Sequence, residues 1–65
     1  MMPPQDPKEL AGWLEGLALG RTDGAMRLRN PALLADPRPG VAAGYEIGQK
    51  QALAARVAAN GGLTG

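Results

Sequence analysis

The sequence predicts an all-α fold in which two long helices form a hairpin around a long basic connection. Apolar residues recur with helical spacing in both halves of the chain, and only five residues, two Thr, two Val and one Ile, are β-branched. A chain of 65 residues makes one small domain, which we place at residues 6–61. Because chains of this size bury only about 60% of their unfolded surface, we expect a partner, most simply a second copy, to complete a small helical bundle.

The first predicted helix spans about residues 7–20 and follows a flexible arm at residues 1–5. It begins at Asp6-Pro7-Lys8-Glu9, where Asp caps, Pro suits the first helical position and Glu completes a capping box. One side of this helix carries apolar residues at intervals of four and three, namely Leu10, Leu14 and Leu17. We place its end at Gly20, which favours a left-handed cap and precedes a turn-prone segment.

The connection at residues 21–38 is basic and interrupted by proline, and Asn30-Pro31 indicates one capped helical turn within it. A second long helix is expected over about residues 37–60, because Asp36-Pro37 resembles the start of the first helix. Asn60-Gly61-Gly62 is suited to end that helix, and residues 62–65 are expected to form a frayed tail.

Seven of the ten glycines form two ladders with a spacing of four residues: Gly12, Gly16, Gly20 and Gly24, then Gly40, Gly44 and Gly48. Shifting the chain by 32 positions superposes two Gly-aromatic-x-x-Gly units that contain Trp13 and Tyr45, so the helices resemble variants of one unit. Each interior glycine costs about 0.8 to 1 kcal/mol relative to alanine. Three interpretations of these glycines are open: close packing within the hairpin, a stripe left open for the helix of a partner, or drift in a GC-rich, alanine-rich coding sequence.

These motifs resemble the ribosome modulation factor family of short two-helix bacterial proteins. The resemblance rests on Gly12-Trp13-Leu14-Glu15-Gly16, Gly20-Arg21, Asn30-Pro31 and Gly44-Tyr45. The chain departs from the family at Ala32, where a tyrosine is usual, at Val41, where a tryptophan is usual, and in its net charge of only +1. Membership would imply a helical hairpin that binds ribosomal RNA and inactivates ribosomes.

Composition argues against an enzyme, because the chain has no His, Cys or Ser to form a nucleophile and its base. Glu15 and Glu46 could act as an acid and base, but solvated or ion-paired carboxylates are the simpler interpretation. We expect no metal, since imidazole and thiolate ligands are absent, and no cofactor. The chain shows neither a signal peptide nor an apolar run of membrane-spanning length, so we expect a cytoplasmic protein.

The connection supplies the candidate binding residues, which are the four arginines Arg21, Arg27, Arg29 and Arg38. In an extended segment Arg27 and Arg29 share a face and could hold a phosphate group, either of RNA or of a nucleotide at a dimer interface. The alternative is that these arginines pair internally with Asp23, Asp36 or Glu15.

Trp13 and Tyr45 are expected in the core, together with the glycines beside them, Gly12, Gly16, Gly44 and Gly48. If the two helices cannot cover these rings, they become the centre of an interface. The second helix is apolar on more than one side, including Leu53 and Val57, so we expect a homodimer formed through this helix.

The leading functional hypothesis is a non-catalytic regulatory protein, similar to ribosome modulation factor, that binds and modulates a bacterial macromolecule such as the ribosome. The alternative is an inhibitor from a phage or mobile element that docks on a host protein, or that sequesters a nucleotide.

Overall fold

The computed structural model describes the backbone of residues 3–64 and the side chains of residues 3–59. Three helices follow one another: α1 (Pro7–Ala25), α2 (Pro31–Leu34) and α3 (Val41–Thr64). No strand occurs within residues 3–64, and α1 packs along α3. The prediction of an all-α fold with two long packed helices is therefore confirmed. The arm and the tail predicted at the two termini fall partly outside the described residues.

Helix α1 begins where its capping chemistry indicates. The Asp6 carboxylate accepts hydrogen bonds from the backbone N–H groups of Lys8 (2.9 Å) and Glu9 (3.3 Å). The predicted end at Gly20 is wrong, because the helix continues to Ala25. Gly20 packs against the backbone of α3, and this contact favours helix where the sequence favours a cap. The chain leaves α1 through Arg27, whose φ of 59° turns it back.

The short helix α2 confirms the capped turn expected in the connection. The Asn30 side chain accepts a hydrogen bond from the N–H of Ala32 at 3.0 Å, and Pro31 occupies the first helical position. This single turn packs on α3.

Helix α3 begins at Val41, not at residue 37 as predicted, and it ends at Thr64, not at residue 60. The Asp36 carboxylate does accept a backbone hydrogen bond, from Arg38 at 2.8 Å, but that bond closes a turn rather than a helix. The residues after this turn lead to Gly40, whose φ is 82°. A residue with a side chain at Gly40 would also collide with the Glu9 carbonyl of α1, so only glycine fits this entry into α3.

The two long helices run in the same direction, which distinguishes the pair from a hairpin of antiparallel helices. Positions along α1 meet successively later positions along α3: Gly12 faces Pro39, Gly16 faces Val41, Gly20 faces Tyr45 and Gly24 faces Ala52. The connection therefore returns along the pair before α3 begins. The molecule measures 42 × 24 × 12 Å, so it is about one helix thick.

Candidate functional site

The glycines of both ladders lie in the contact between α1 and α3, which we call the glycine seam. A Cβ atom at Gly16 would collide with the Val41 carbonyl, and one at Gly44 would collide with the Trp13 carbonyl. At Gly48 the added atom would lie 2.9 Å from the Cα of Gly20. The backbones thus approach closely enough for Cα–H groups to contact carbonyl oxygens. Packing within the helix pair, and not an open stripe, explains the glycines.

The seam has an approximate two-fold symmetry that relates residues 28 positions apart. Gly16 faces Val41 and Tyr45, while Gly44 faces Trp13 and Leu17, and each of these positions maps onto its counterpart by the same shift. The structural shift of 28 residues therefore differs by four residues, about one helical turn, from the 32-residue shift that superposes the two sequence motifs. In the structure Tyr45 corresponds to Leu17, and Trp13 corresponds to Val41.

The core consists of a few side chains at the seam. Leu17, Val41 and Tyr45 are the buried hydrophobic residues of the described part of the chain, and Val41 and Tyr45 have no exposed area. Trp13 is half-buried. The expectation of core positions holds fully for Tyr45 and only in part for Trp13.

The Tyr45 hydroxyl joins three segments of the molecule. It donates to the Asp23 carboxylate of α1 at 2.7 Å and accepts from the N–H of Asn30 in the connection at 2.8 Å. Burial raises the pKa of Tyr45, and the hydrogen bond to Asp23 raises it further. This neutral hydroxyl fixes the connection against the helix pair. Sequence analysis did not identify this role of Asp23 and Asn30.

The candidate arginines do not all lie together. Arg38 forms a bidentate interaction with Asp36, in which Nε donates to Oδ1 at 3.1 Å and Nη2 donates to Oδ2 at 3.0 Å, and its Nη1 also pairs with Glu15 at 2.6 Å. Hydrogen bonds from Arg38 hold the pKa of the Asp36 carboxyl below its usual range. Internal pairing, the simpler alternative for these arginines, thus describes Arg38.

The other three arginines belong to the opposite part of the molecule. Arg21 donates to the side chain of Gln51 at 2.6 Å, and Arg29 pairs with Glu46 at 3.5 Å. Arg27 is exposed at the turn after α1 and makes no ion pair among the described residues. Glu15 and Glu46 therefore serve separate ion pairs, one on each part of the molecule.

Parallel packing separates the charges of the chain into two groups. The acidic half comprises Lys8 and Arg38 with four carboxylates, which are Asp6, Glu9, Glu15 and Asp36. The basic half has two carboxylates, Asp23 and Glu46, and five cations, which are Arg21, Arg27, Arg29, Lys50 and Arg56. The formal charges are −2 and +3, in agreement with the total of +1. Both long helices begin in the acidic half, where their dipoles favour carboxylates.

The basic half also contains the part of α3 that extends past the end of α1. Leu53 and Val57 are 52% and 60% exposed there. An open groove lies between the two helices, with an apolar floor formed by Ala25, Ala52, Ala55 and Ala59. Arg21 and Arg56 line it as well, and the Arg56 Nε is buried without a hydrogen-bond partner. Sequence analysis missed Arg56 and Lys50, because they lie far from the connection in sequence.

Neither long helix, over its described residues, is apolar enough along its length to cross a membrane. The described residues also bring together no group of acidic side chains that could hold a metal ion. No protein-family model, curated protein or solved structure matches this chain.

Proposed function

We propose that this chain is a non-catalytic binding protein that docks its basic half on the phosphate backbone of a folded RNA, as the resemblance to ribosome modulation factor implies. The observation that carries the proposal is the separation of charge. A net charge of +1 is too small for general attraction to nucleic acid, but an excess of three cations in one half provides a local patch.

Phosphate contacts suit the side chains of this half better than base readout. Arginine matches phosphate through two parallel hydrogen bonds, and Arg27 is exposed and unpaired with any described carboxylate. The two aromatic rings are not available for stacking on bases here, because Tyr45 is buried and Trp13 belongs to α1 at the acidic half. Recognition would therefore depend on backbone charge and shape.

The test is co-sedimentation with ribosomes and binding to a labelled ribosomal RNA fragment over a range of salt concentrations. About four phosphate contacts predict that log K falls against log salt with a slope of roughly −3 to −4. The double variant Arg27→Ala/Arg29→Ala should reduce both affinity and slope. The matched control Lys8→Ala/Arg38→Ala removes the same charge from the acidic half and should retain binding. Equal loss in both variants, or indifference to salt, would refute the proposal.

A second candidate is an inhibitor that docks on a host protein, and one observation favours it. Leu53 and Val57 are large apolar side chains at the exposed end of α3, and such residues often anchor protein interfaces. Pull-down from a nuclease-treated bacterial lysate distinguishes the candidates. A protein that is retained at high salt, and lost with Leu53→Glu/Val57→Glu, would support the inhibitor, whereas loss of all prey after nuclease treatment would support RNA.

A further inference from the structure

The alanine-floored groove continues the glycine seam beyond the end of α1. Helix α1 ends at Ala25, and α3 extends past it. At roughly 100° per residue, Ala52, Ala55 and Ala59 lie within about 60° of one another, on the same side of α3 as Gly48, which packs against α1. The side of α3 that forms the seam therefore has no neighbouring helix here among the described residues.

The groove has the dimensions of a small-molecule site. Its volume is about 470 Å³, and ligand pockets in proteins have volumes of about 300–1,000 Å³. The floor spans about 10 Å along α3 from Ala52 to Ala59. None of the described residues that line the groove is aromatic, so a nucleobase would find no ring to stack on. The row of methyl groups instead suits a narrow alkyl chain.

Two arginines border this floor on opposite sides. Around α3, Arg56 lies about 40° from Ala52 in one direction, and Gln51, which accepts a hydrogen bond from the Arg21 Nε at 2.6 Å, lies about 100° in the other. The described lining includes no carboxylate, and neither arginine forms an ion pair with a described carboxylate. The groove is therefore cationic at both margins and apolar between them.

The Arg56 guanidinium also has a donor that needs an acceptor. Its Nε is buried and has no hydrogen-bond partner in the described part of the chain. A buried donor in this condition costs free energy, more so when the group is charged. A ligand that brings an anionic oxygen to this margin removes that cost.

We propose that the groove binds a free, unbranched alkyl carboxylate, with the alkyl chain along the alanine floor and the carboxylate between Arg21 and Arg56. Arginine forms short, charge-assisted hydrogen bonds with carboxylates, and the Arg56 Nε gains its acceptor. The methylene groups leave water for the alanine methyl groups, which adds a hydrophobic contribution. This binding requires no RNA and neither Arg27 nor Arg29, so it does not rest on the proposed function.

The test is an NMR titration of the full chain with decanoate, below the concentration at which decanoate forms micelles. Saturable shifts should centre on the amides of residues 21–25 and 51–59. Decanol has the same chain length without the charge, and it should bind about tenfold more weakly. Equal affinity for decanol, or binding to anionic lipid vesicles without binding to monomeric decanoate, would overturn the proposal. If these amides shift only with protein concentration, the groove takes a second copy and the proposal is wrong.

A matched pair of variants tests the floor. Ala54 and Ala55 are both exposed, but Ala54 lies about 160° around α3 from Ala52 and does not line the groove. Ala55→Glu places a carboxylate in the floor and should abolish decanoate binding, whereas Ala54→Glu should retain it. Circular dichroism verifies that both variants are helical. Equal loss of binding in the two variants would refute the site.

A second pair tests the charge. Arg56→Gln should weaken decanoate binding about tenfold, because it removes a charged hydrogen-bond donor from the groove. Arg27→Gln removes the same charge from the basic half outside the groove and should leave the dissociation constant unchanged. Equal weakening would show general electrostatic attraction and overturn the assignment to Arg56. These titrations contain no RNA, so their failure and the failure of RNA binding are separate results.

Discussion

The first half of α3 and its second half are built from different small residues, although they form one continuous helix. Where α3 faces α1, Gly44 and Gly48 lie in backbone contact. Beyond the end of α1, residues 53–59 contain alanine in place of glycine, at Ala54, Ala55, Ala58 and Ala59. Alanine is the best intrinsic helix former and glycine is among the worst. Tertiary packing thus stabilises the first half, whereas the second half depends mainly on intrinsic propensity.

The largest expected effect comes from filling the seam. Gly16→Ala should destabilise the fold by roughly 3 kcal/mol, because the new Cβ meets the Val41 carbonyl and the backbone N of Tyr45, which cannot move aside as a flexible side chain would. Urea denaturation measures this. Helix propensity alone predicts a gain of about 1 kcal/mol in stability. The sign of the measured change therefore distinguishes close packing at the seam from propensity.

The matched control for this substitution is Ala58→Gly in the second half of α3. It should cost about 1 kcal/mol or less, in the direction of propensity. A stabilising Gly16→Ala would show that the seam is not closely packed.

A smaller effect tests the pairing across the seam directly. Gly24 lies against the Cβ of Ala52, so Gly24→Ala should cost about 2 kcal/mol. The exchange Gly24→Ala/Ala52→Gly moves that methyl group from one helix to the other and should recover most of the loss. Thermal unfolding of the four proteins forms a double-mutant cycle. Simple additivity of the two single effects would contradict this pairing of positions.

Removing the Tyr45 hydroxyl should cost about 1.5 kcal/mol, because Tyr45→Phe leaves the N–H of Asn30 and the Asp23 carboxylate without their partner. Urea denaturation measures the loss. The control Tyr45→Phe/Asp23→Asn tests whether the lone carboxylate carries part of it. An unchanged denaturation midpoint in Tyr45→Phe would show that the hydroxyl does not fix the connection against the helix pair.

The dependence of folding stability on pH should be the smallest of these effects near neutral pH and should grow as the pH becomes alkaline. The pKa of Tyr45 is raised in the folded protein above the value of about 10 that an unfolded tyrosine has. The stabilisation is therefore complete below pH 10 and is lost as the pH rises through the folded pKa. Phenolate absorbance should titrate above pH 10. Titration at or below the unfolded value would contradict the buried hydroxyl.

Local chemistry made the helix starts at Asp6 and Asn30 predictable, because each cap involves residues within three positions. The ends were not predictable at Gly20 and Asn60, since glycine and asparagine indicate a stop unless tertiary contacts or a neighbouring alanine-rich run favour helix. The glycine spacing indicated a close helix contact but not its direction, because a stripe every four residues serves parallel and antiparallel pairs equally.

The parallel orientation of α1 and α3 explains why the candidate site could be predicted only in part. The arginines of the connection were visible as a group, but Arg38 lies beside Glu15 while Arg21 lies beside Gln51. Parallel packing brought Lys50 and Arg56 to the same half as Arg21 and Arg29, which a hairpin would not do. The basic half is thus a consequence of the seam.

The distance between the helix ends tests the parallel arrangement most directly. The chain contains no cysteine, so spin labels can be placed at chosen pairs of introduced cysteines and measured by double electron–electron resonance. Parallel packing of α1 and α3 predicts a separation on the order of 35 Å between labels at Lys8 and Ala59, and a short one between Ala25 and Ala59, which line the same groove. Dilution with unlabelled protein isolates distances within one chain. A short Lys8–Ala59 distance with a long Ala25–Ala59 distance would contradict the parallel seam and the separation of charge that follows from it.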